Sequence, residues 1–233
     1  MAVKVVHMGD SIAYGECASA PSRAYPLVAA RAIAAERHTA VDTCVIAQPG
    51  WTSWNLAQAV SADPAAFTGA DVALMFVGGD DLIQAGLATL NGGRLRRQLA
   101  EAYARYARNF DRIAGACQRQ GIPLVCCTLY NPFPRSPIAV AAVSGLNQVI
   151  VQRAMARGIP VAPVDAWFAG REPLVIAGYR SGRLEDILRG GEAPVHPNDL
   201  GHRLIGLGLA RYISPLAEAR HRLGSTAVSH SRR

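Results

Sequence analysis

Two side chains in this sequence could act as a nucleophile and its base. Ser11 stands in "GDSIAYG", residues 9–15, and His196 stands in "GEAPVHPNDLGH", residues 191–202. A serine hydroxyl is a poor nucleophile until a positioned base takes its proton, and histidine is the commonest base near neutral pH. A base of this kind also needs something to hold its second ring nitrogen. The nearest acids in sequence are Glu192 and Asp199, and spacing marks out neither. A plainer reading of the first block is that Asp10 and Ser11 cap the helix that follows. A third block, "GGDD" at residues 78–81, sets two carboxylates side by side, Asp80 and Asp81.

Other chemistries find less support. The histidines have no carboxylate or cysteine partners at ligand spacing along the chain, so no metal is expected. There is no GxGxxG or Walker pattern, so no nucleotide cofactor is expected either. Of five cysteines, Cys126 and Cys127 sit in the apolar run "IPLVCCTLY", and Cys17, Cys44 and Cys117 are isolated. Buried reduced thiols are the simplest account. The net charge is +7 with a pI near 9.5, and Lys4 is the only lysine. The arginines are scattered along helices rather than gathered in a stripe with aromatics between them. Nucleic acid is therefore not an expected partner. No signal-like leader is apparent and no segment reads as a membrane span. The expectation is a cytoplasmic protein without a membrane partner. His202 reads as a packing or capping residue inside the last helix, and His7 is given no role. Glu16 is an unusual charge close to Ser11. Arg23 and Arg135 could meet an anionic group, though nothing in the sequence places them at a site.

The elements that must position these residues alternate in kind. Apolar runs at 3–8, 40–47, 71–77, 122–129 and 160–165 suit buried strands. Helical patterns lie between them, the longest over residues 94–120. There Leu95, Leu99, Tyr103, Tyr106, Phe110 and Ile113 recur at steps of three and four, with arginines on the other face. Buried strands alternating with helices predict a parallel sheet covered on both sides. With 233 residues, one domain is expected over 1–220, followed by a flexible basic tail over 221–233. Residues 166–197 read as a long loop with a short helix near 182–189. A closing helix is expected from about Asn198, with Asn198 as its N-cap. Ligands of such sheets bind beyond the carboxyl ends of the strands. Those ends carry "GDSIAYG", "QPGWTSWN", "GGDDL" and "TLYNPFPRSP".

The "GDSIAYG" block with Ser11, the "QPGWTS" block with Gly50, the "GGDD" block and "HPNDLGH" with His196 together resemble the SGNH or GDSL hydrolase family. The resemblance covers most of the chain. It implies a three-layer α/β/α sandwich on a flavodoxin-like, five-stranded parallel sheet. It also implies that Ser11 attacks an ester carbonyl and that His196 takes its proton and returns it to the leaving alcohol. The amides of Ser11 and Gly50 would hold the oxyanion. Asp81 matches the family's structural aspartate. Trp51, Trp54, Tyr130 and Phe133, on loops at the strand ends, could line an apolar pocket or pack as lids.

The sequence departs from the family pattern twice. The third oxyanion donor is normally an asparagine, and this chain has Asp80. An ionised carboxylate cannot donate, so Asp80 either carries a proton or takes no part in the hole. The aspartate expected three residues before His196 is Ala193. Either Glu192 turns in to replace it, or a backbone carbonyl or water holds the ring. The expected activity is hydrolysis of a small acyl ester or thioester, without metal or cofactor. Two alternatives stay open: transfer of the acyl group to another acceptor, and a fold that binds without catalysis.

Overall fold

The computed structural model describes residues 2–90 and 92–230. In chain order the elements are β1 (Val3–Gly9), α1 (Ser11–Tyr14), α2 (Tyr25–Arg37), β2 (Val41–Ala47), α3 (Ser53–Ala62), β3 (Val72–Phe76), α4 (Gly79–Leu90), α5 (Leu95–Arg119), β4 (Leu124–Cys127), α6 (Pro137–Met155), β5 (Val161–Ala162), α7 (Val164–Phe168), α8 (Glu172–Val175) and α9 (Asp199–His230). The five strands form one parallel sheet in the order β2-β1-β3-β4-β5. This is the flavodoxin-like order, and the topology switches beside β1.

The sheet is most apolar in its middle. Every residue of β3 and β4 is buried, as expected for strands covered on both faces. On one side α2 packs along α9; on the other α3, α4 and α6 each pack against the long α5. The periodic face read in the long central helix is its buried face, with Tyr106, Phe110 and Ile113 in the core.

Three features differ from the sequence expectations. The run at 160–165 gives only a two-residue strand, because Pro163 has no amide for the ladder and Val164 already begins α7. The apolar helix α6 is long and apolar enough to cross a membrane by length and composition alone, which the sequence reading overlooked. Here it lies against the sheet, with Leu146, Ile150 and Ala154 fully buried. Finally, α9 continues to His230 instead of giving way to a flexible tail at 221. Its residue His221 already meets Asp71 at 3.0 Å, so the domain extends beyond 220. Residues 231–233 lie outside the described residues.

Candidate active site

Ser11 is placed by a tight turn at the carboxyl end of β1. A Cβ on Gly9 would fall 2.3 Å from the Phe76 carbonyl oxygen and 2.6 Å from the Ala13 Cβ, so only glycine lets the chain turn this closely. Asp10 is the N-cap of α1, its carboxylate accepting from the Ile12 amide at 3.0 Å. The capping reading therefore holds for Asp10. Ser11, the first residue of that helix, faces across to the last loop. Its Oγ lies 3.0 Å from Nε2 of His196, although 185 positions separate the two in the chain.

His196 is held by its backbone. The Tyr130 hydroxyl donates to the Val195 carbonyl at 2.6 Å, and the Ala177 amide donates to the His196 carbonyl at 2.9 Å. Ile176 and Pro197 form an isolated antiparallel bridge. Asn198 donates from its side chain to the Leu174 carbonyl and accepts from the Leu200 and Gly201 amides, so it is the N-cap expected from the sequence. The ring itself has no acid bound to it. Nδ1 is buried and has no hydrogen-bond partner among the described residues. Asp199 is engaged elsewhere, accepting from the Ser19 amide and hydroxyl and from Arg23. Glu192 accepts from the Cys17 thiol at 2.7 Å.

Although it makes no hydrogen bond to the ring, Glu192 is near it. One ligand atom from each of Cys17, Glu192 and His196 lies within 4.8 Å of the other two. Metal-ligating side chains therefore do converge here, contrary to the expectation from spacing. The convergence was invisible along the chain because Cys17 and Glu192 are 175 residues apart. Burial lowers the His196 pKa, and the charges of Glu16 and Glu192 partly restore it. The imidazole is therefore neutral, and able to accept a proton, at pH 7.

A cluster of carboxylates lies behind the serine. Burial raises the Asp10 pKa to about 7, the Ile12 and Gly78 amides pull it down, and the charges of Asp80 and Asp81 push it up. Asp80 is half-buried, and its pKa is raised by that burial and by the neighbouring Asp81. Asp81 is buried and accepts from both the amide and the hydroxyl of Ser53, each at 2.7 Å, while Asn109 donates to the same hydroxyl. A Thr52–Asn55 capping box closes the same helix start. Together these bonds fix the beginning of α3 directly after Gly50. Gly50 itself takes φ +80, a conformation that side chains disfavour, and nothing stands within 4 Å of where a Cβ would be.

Among the pocket candidates, Trp54 is 53% exposed and lines a cleft of about 300 Å³ with Thr52, Asn55, Asp81, Gln84 and Arg105. Trp51 is half-buried against the core. Tyr130 and Phe133 are buried. Tyr130 stacks on Phe168 at 4.3 Å and supports the histidine loop from beneath. A larger cleft, about 590 Å³, opens between α6 and α7 beside Asn147 and Asp165, and neither Ser11 nor His196 lines it. His202 is fully buried. Its Nδ1 accepts from the Tyr25 amide and its Nε2 donates to the Glu16 carbonyl, joining α9 to α2 and to the loop after Ser11. Arg135 ties its loop to the 180s, its amide donating to the Gly182 carbonyl. Sequence reasoning did not find the Asp186 knot, in which one carboxylate accepts from Ser181, Gly182 and Arg183. An aspartate four residues after a Ser-Gly pair is the signal that could have found it.

A flavodoxin-like sandwich with a Ser–His pair at the carboxyl rim of β1 has the fold of the SGNH hydrolases. A family model for the GDSL-like lipase/acylhydrolase family matches residues 7–204, and the chain belongs to that family. Solved structures agree on the fold. A lipase from a goat rumen metagenome is 21% identical with TM-score 0.75, the match covering 91% of this chain and 97% of that one. An acetyl xylan esterase is 17% identical with TM-score 0.67, covering 90% and 99%. An extracellular lipase from Streptomyces rimosus is 19% identical with TM-score 0.62, covering 91% and 100%. No curated protein sequence matches the chain.

Proposed function

We propose that this protein hydrolyses a small carboxylic ester or thioester through an acyl group carried on Ser11. The single observation that carries the reading is the 3.0 Å contact between the Ser11 hydroxyl and His196 Nε2. His196 takes the hydroxyl proton as the serine oxygen attacks the carbonyl carbon. It then returns the proton to the leaving alcohol or thiol. Water, deprotonated by the same imidazole, attacks the acyl-serine and releases the acid. The amides of Ser11 and Gly50 stabilise the oxyanion, in keeping with the turn that Asp81 and Ser53 fix after Gly50.

Asp80 joins the oxyanion hole in its protonated form. Its raised pKa favours that form, in which one oxygen carries a hydrogen to donate. The imidazolium that forms at His196 is stabilised by the nearby negative charges of Glu16 and Glu192 rather than by a bonded aspartate. The related acetyl esterases and lipases make short acyl esters the first substrates to try.

The test pairs turnover of short p-nitrophenyl esters with fluorophosphonate labelling. The wild-type protein should do both, and Ser11→Ala should do neither. An acyl-enzyme that forms but is released only by an added alcohol or amine would make it a transferase. A folded wild-type protein that neither labels nor turns over would be a binding protein on this fold.

A further inference from the structure

We infer that Cys17, Glu192 and His196 form a binding site for a divalent transition ion, zinc above all, and that its occupancy silences His196 as a base. One ligand atom from each side chain lies within 4.8 Å of the other two. The Cys17 thiol already lies 2.7 Å from Glu192 Oε1, with its proton between them. A tetrahedral zinc ion with bonds of about 2.0–2.3 Å sets its ligands about 3.5 Å apart, so the Cys17–Glu192 pair would open by about 0.8 Å while the wider separations close by up to about 1.3 Å. A set of thiolate, imidazole and carboxylate, with water in the fourth position, matches zinc's borderline softness.

Three further observations single out this place. First, His196 Nδ1 is buried without a partner, whereas Nε2 is committed to Ser11. A metal bond to Nδ1 would satisfy a nitrogen that hydrogen bonding leaves bare. Second, Cys17 has φ +61, a left-handed conformation that a cysteine seldom adopts. The turn is held by the amides of Gly15 and Glu16 on the Ser11 carbonyl, and by Ser19 on Asp199. The thiol is thereby fixed facing the histidine loop. Third, Glu192 follows Gly190 and Gly191, both at positive φ, so the carboxylate sits on a chain segment able to make the small adjustment. The charges of Glu16 and Glu192 act on His196 and give the place a negative field that attracts a cation.

The protons balance simply. On binding, the Cys17 thiol gives up its hydrogen to solvent and becomes a thiolate ligand. The imidazole binds through Nδ1, so its one hydrogen must reside on Nε2. Nε2 then has no lone pair for the Ser11 hydroxyl and donates to that oxygen instead. No oxidation or reduction takes place. The silencing rests on the function proposed above; the binding does not.

The first measurement is therefore spectroscopic. Cobalt(II) added to the wild-type protein should give one equivalent of a thiolate-to-cobalt charge-transfer band in the near ultraviolet, and zinc should erase it. Cys17→Ala should lose the band, and Glu192→Ala, an exposed loop change that leaves the core untouched, should weaken cobalt binding at least tenfold. The second measurement is ester turnover against free zinc. Inhibition of the wild-type protein should track one equivalent and reverse with EDTA. The zinc concentration for half-inhibition should rise at least tenfold in both variants, each compared with its own zinc-free rate. A thiolate band in a protein without turnover would keep the metal site and remove the esterase reading. No band, a band retained in Cys17→Ala, or binding unchanged by Glu192→Ala would overturn the site.

Discussion

In the proposed mechanism two positions tune the chemistry at the scale of single residues. Asp80 is negative above its raised pKa and cannot donate there. Asp80→Asn supplies a permanent donor, so its advantage in kcat/KM should grow as rising pH takes the proton from Asp80. One oxyanion donor is worth about 3–4 kcal/mol, so the gain once that proton is lost should reach at least about tenfold. A pH-independent loss in steady-state assays would show that the carboxylate serves some other purpose. Glu192 acts on the base through its charge, which holds the His196 pKa up against burial. Glu192→Gln should therefore move the acid limb of the kcat/KM profile to lower pH. A shift upward would contradict the assigned sign. The sequence named Ser11, His196 and both departures, because residue type and local order carry them. It could not say where Glu192 points. That depends on Cys17, which a different part of the fold brings to it.

Between elements, the important joint is that of α4 with α3. Asp81 opens α4 and receives two bonds from Ser53 at the start of α3, immediately after the Gly50 turn. Asp81→Ala leaves a buried amide and hydroxyl without their acceptor. It should lower stability by about 2 kcal/mol, read as a shift in urea midpoint at unchanged slope. It should also lower kcat more than it raises KM, because the amide after the turn loses its fixed direction. Ser53→Ala, which keeps the amide bond and removes only the hydroxyl, should show a smaller version of both effects. Strand ends were legible because Gly9, Gly50 and Gly78 punctuate apolar runs. The helix α4 was not, because "GGDD" reads as a loop until Asp80 and Asp81 are seen to occupy its first turn, where the helix dipole favours acids.

The whole molecule should respond to pH through Asp10. Burial raises its folded-state pKa to about 7, against about 3.8 for an ordinary aspartate. Between those values the folded chain tends to keep a proton that the unfolded chain has lost. The stability this group contributes is thus full below pH 3.8 and declines as pH rises to about 7, by up to about 1.4 kcal/mol per pH unit. Asp10→Asn removes the titrating group. The difference in Tm, wild type minus variant, should therefore shrink steadily from pH 4 to pH 7.5 and then level off; a difference constant with pH would contradict the raised pKa. The global architecture was legible because five apolar runs alternating with helices have few ways to pack. What composition hid was the end of the chain: an apparently basic tail continues as helix, and His221 meets Asp71 on the body of the domain.

The distance between Ser11 and His196 along the chain has a consequence for synthesis. The hydroxyl leaves the ribosome first, and its imidazole follows 185 positions later. Between them come four of the five strands, β2 to β5, and the loop that aims the imidazole is clamped by residues 130 and 174–177. A chain interrupted anywhere before that loop has the hydroxyl without its imidazole and is chemically silent. The reactivity proposed for Ser11 should therefore appear only after the loop that carries His196 has been made and folded onto the sheet.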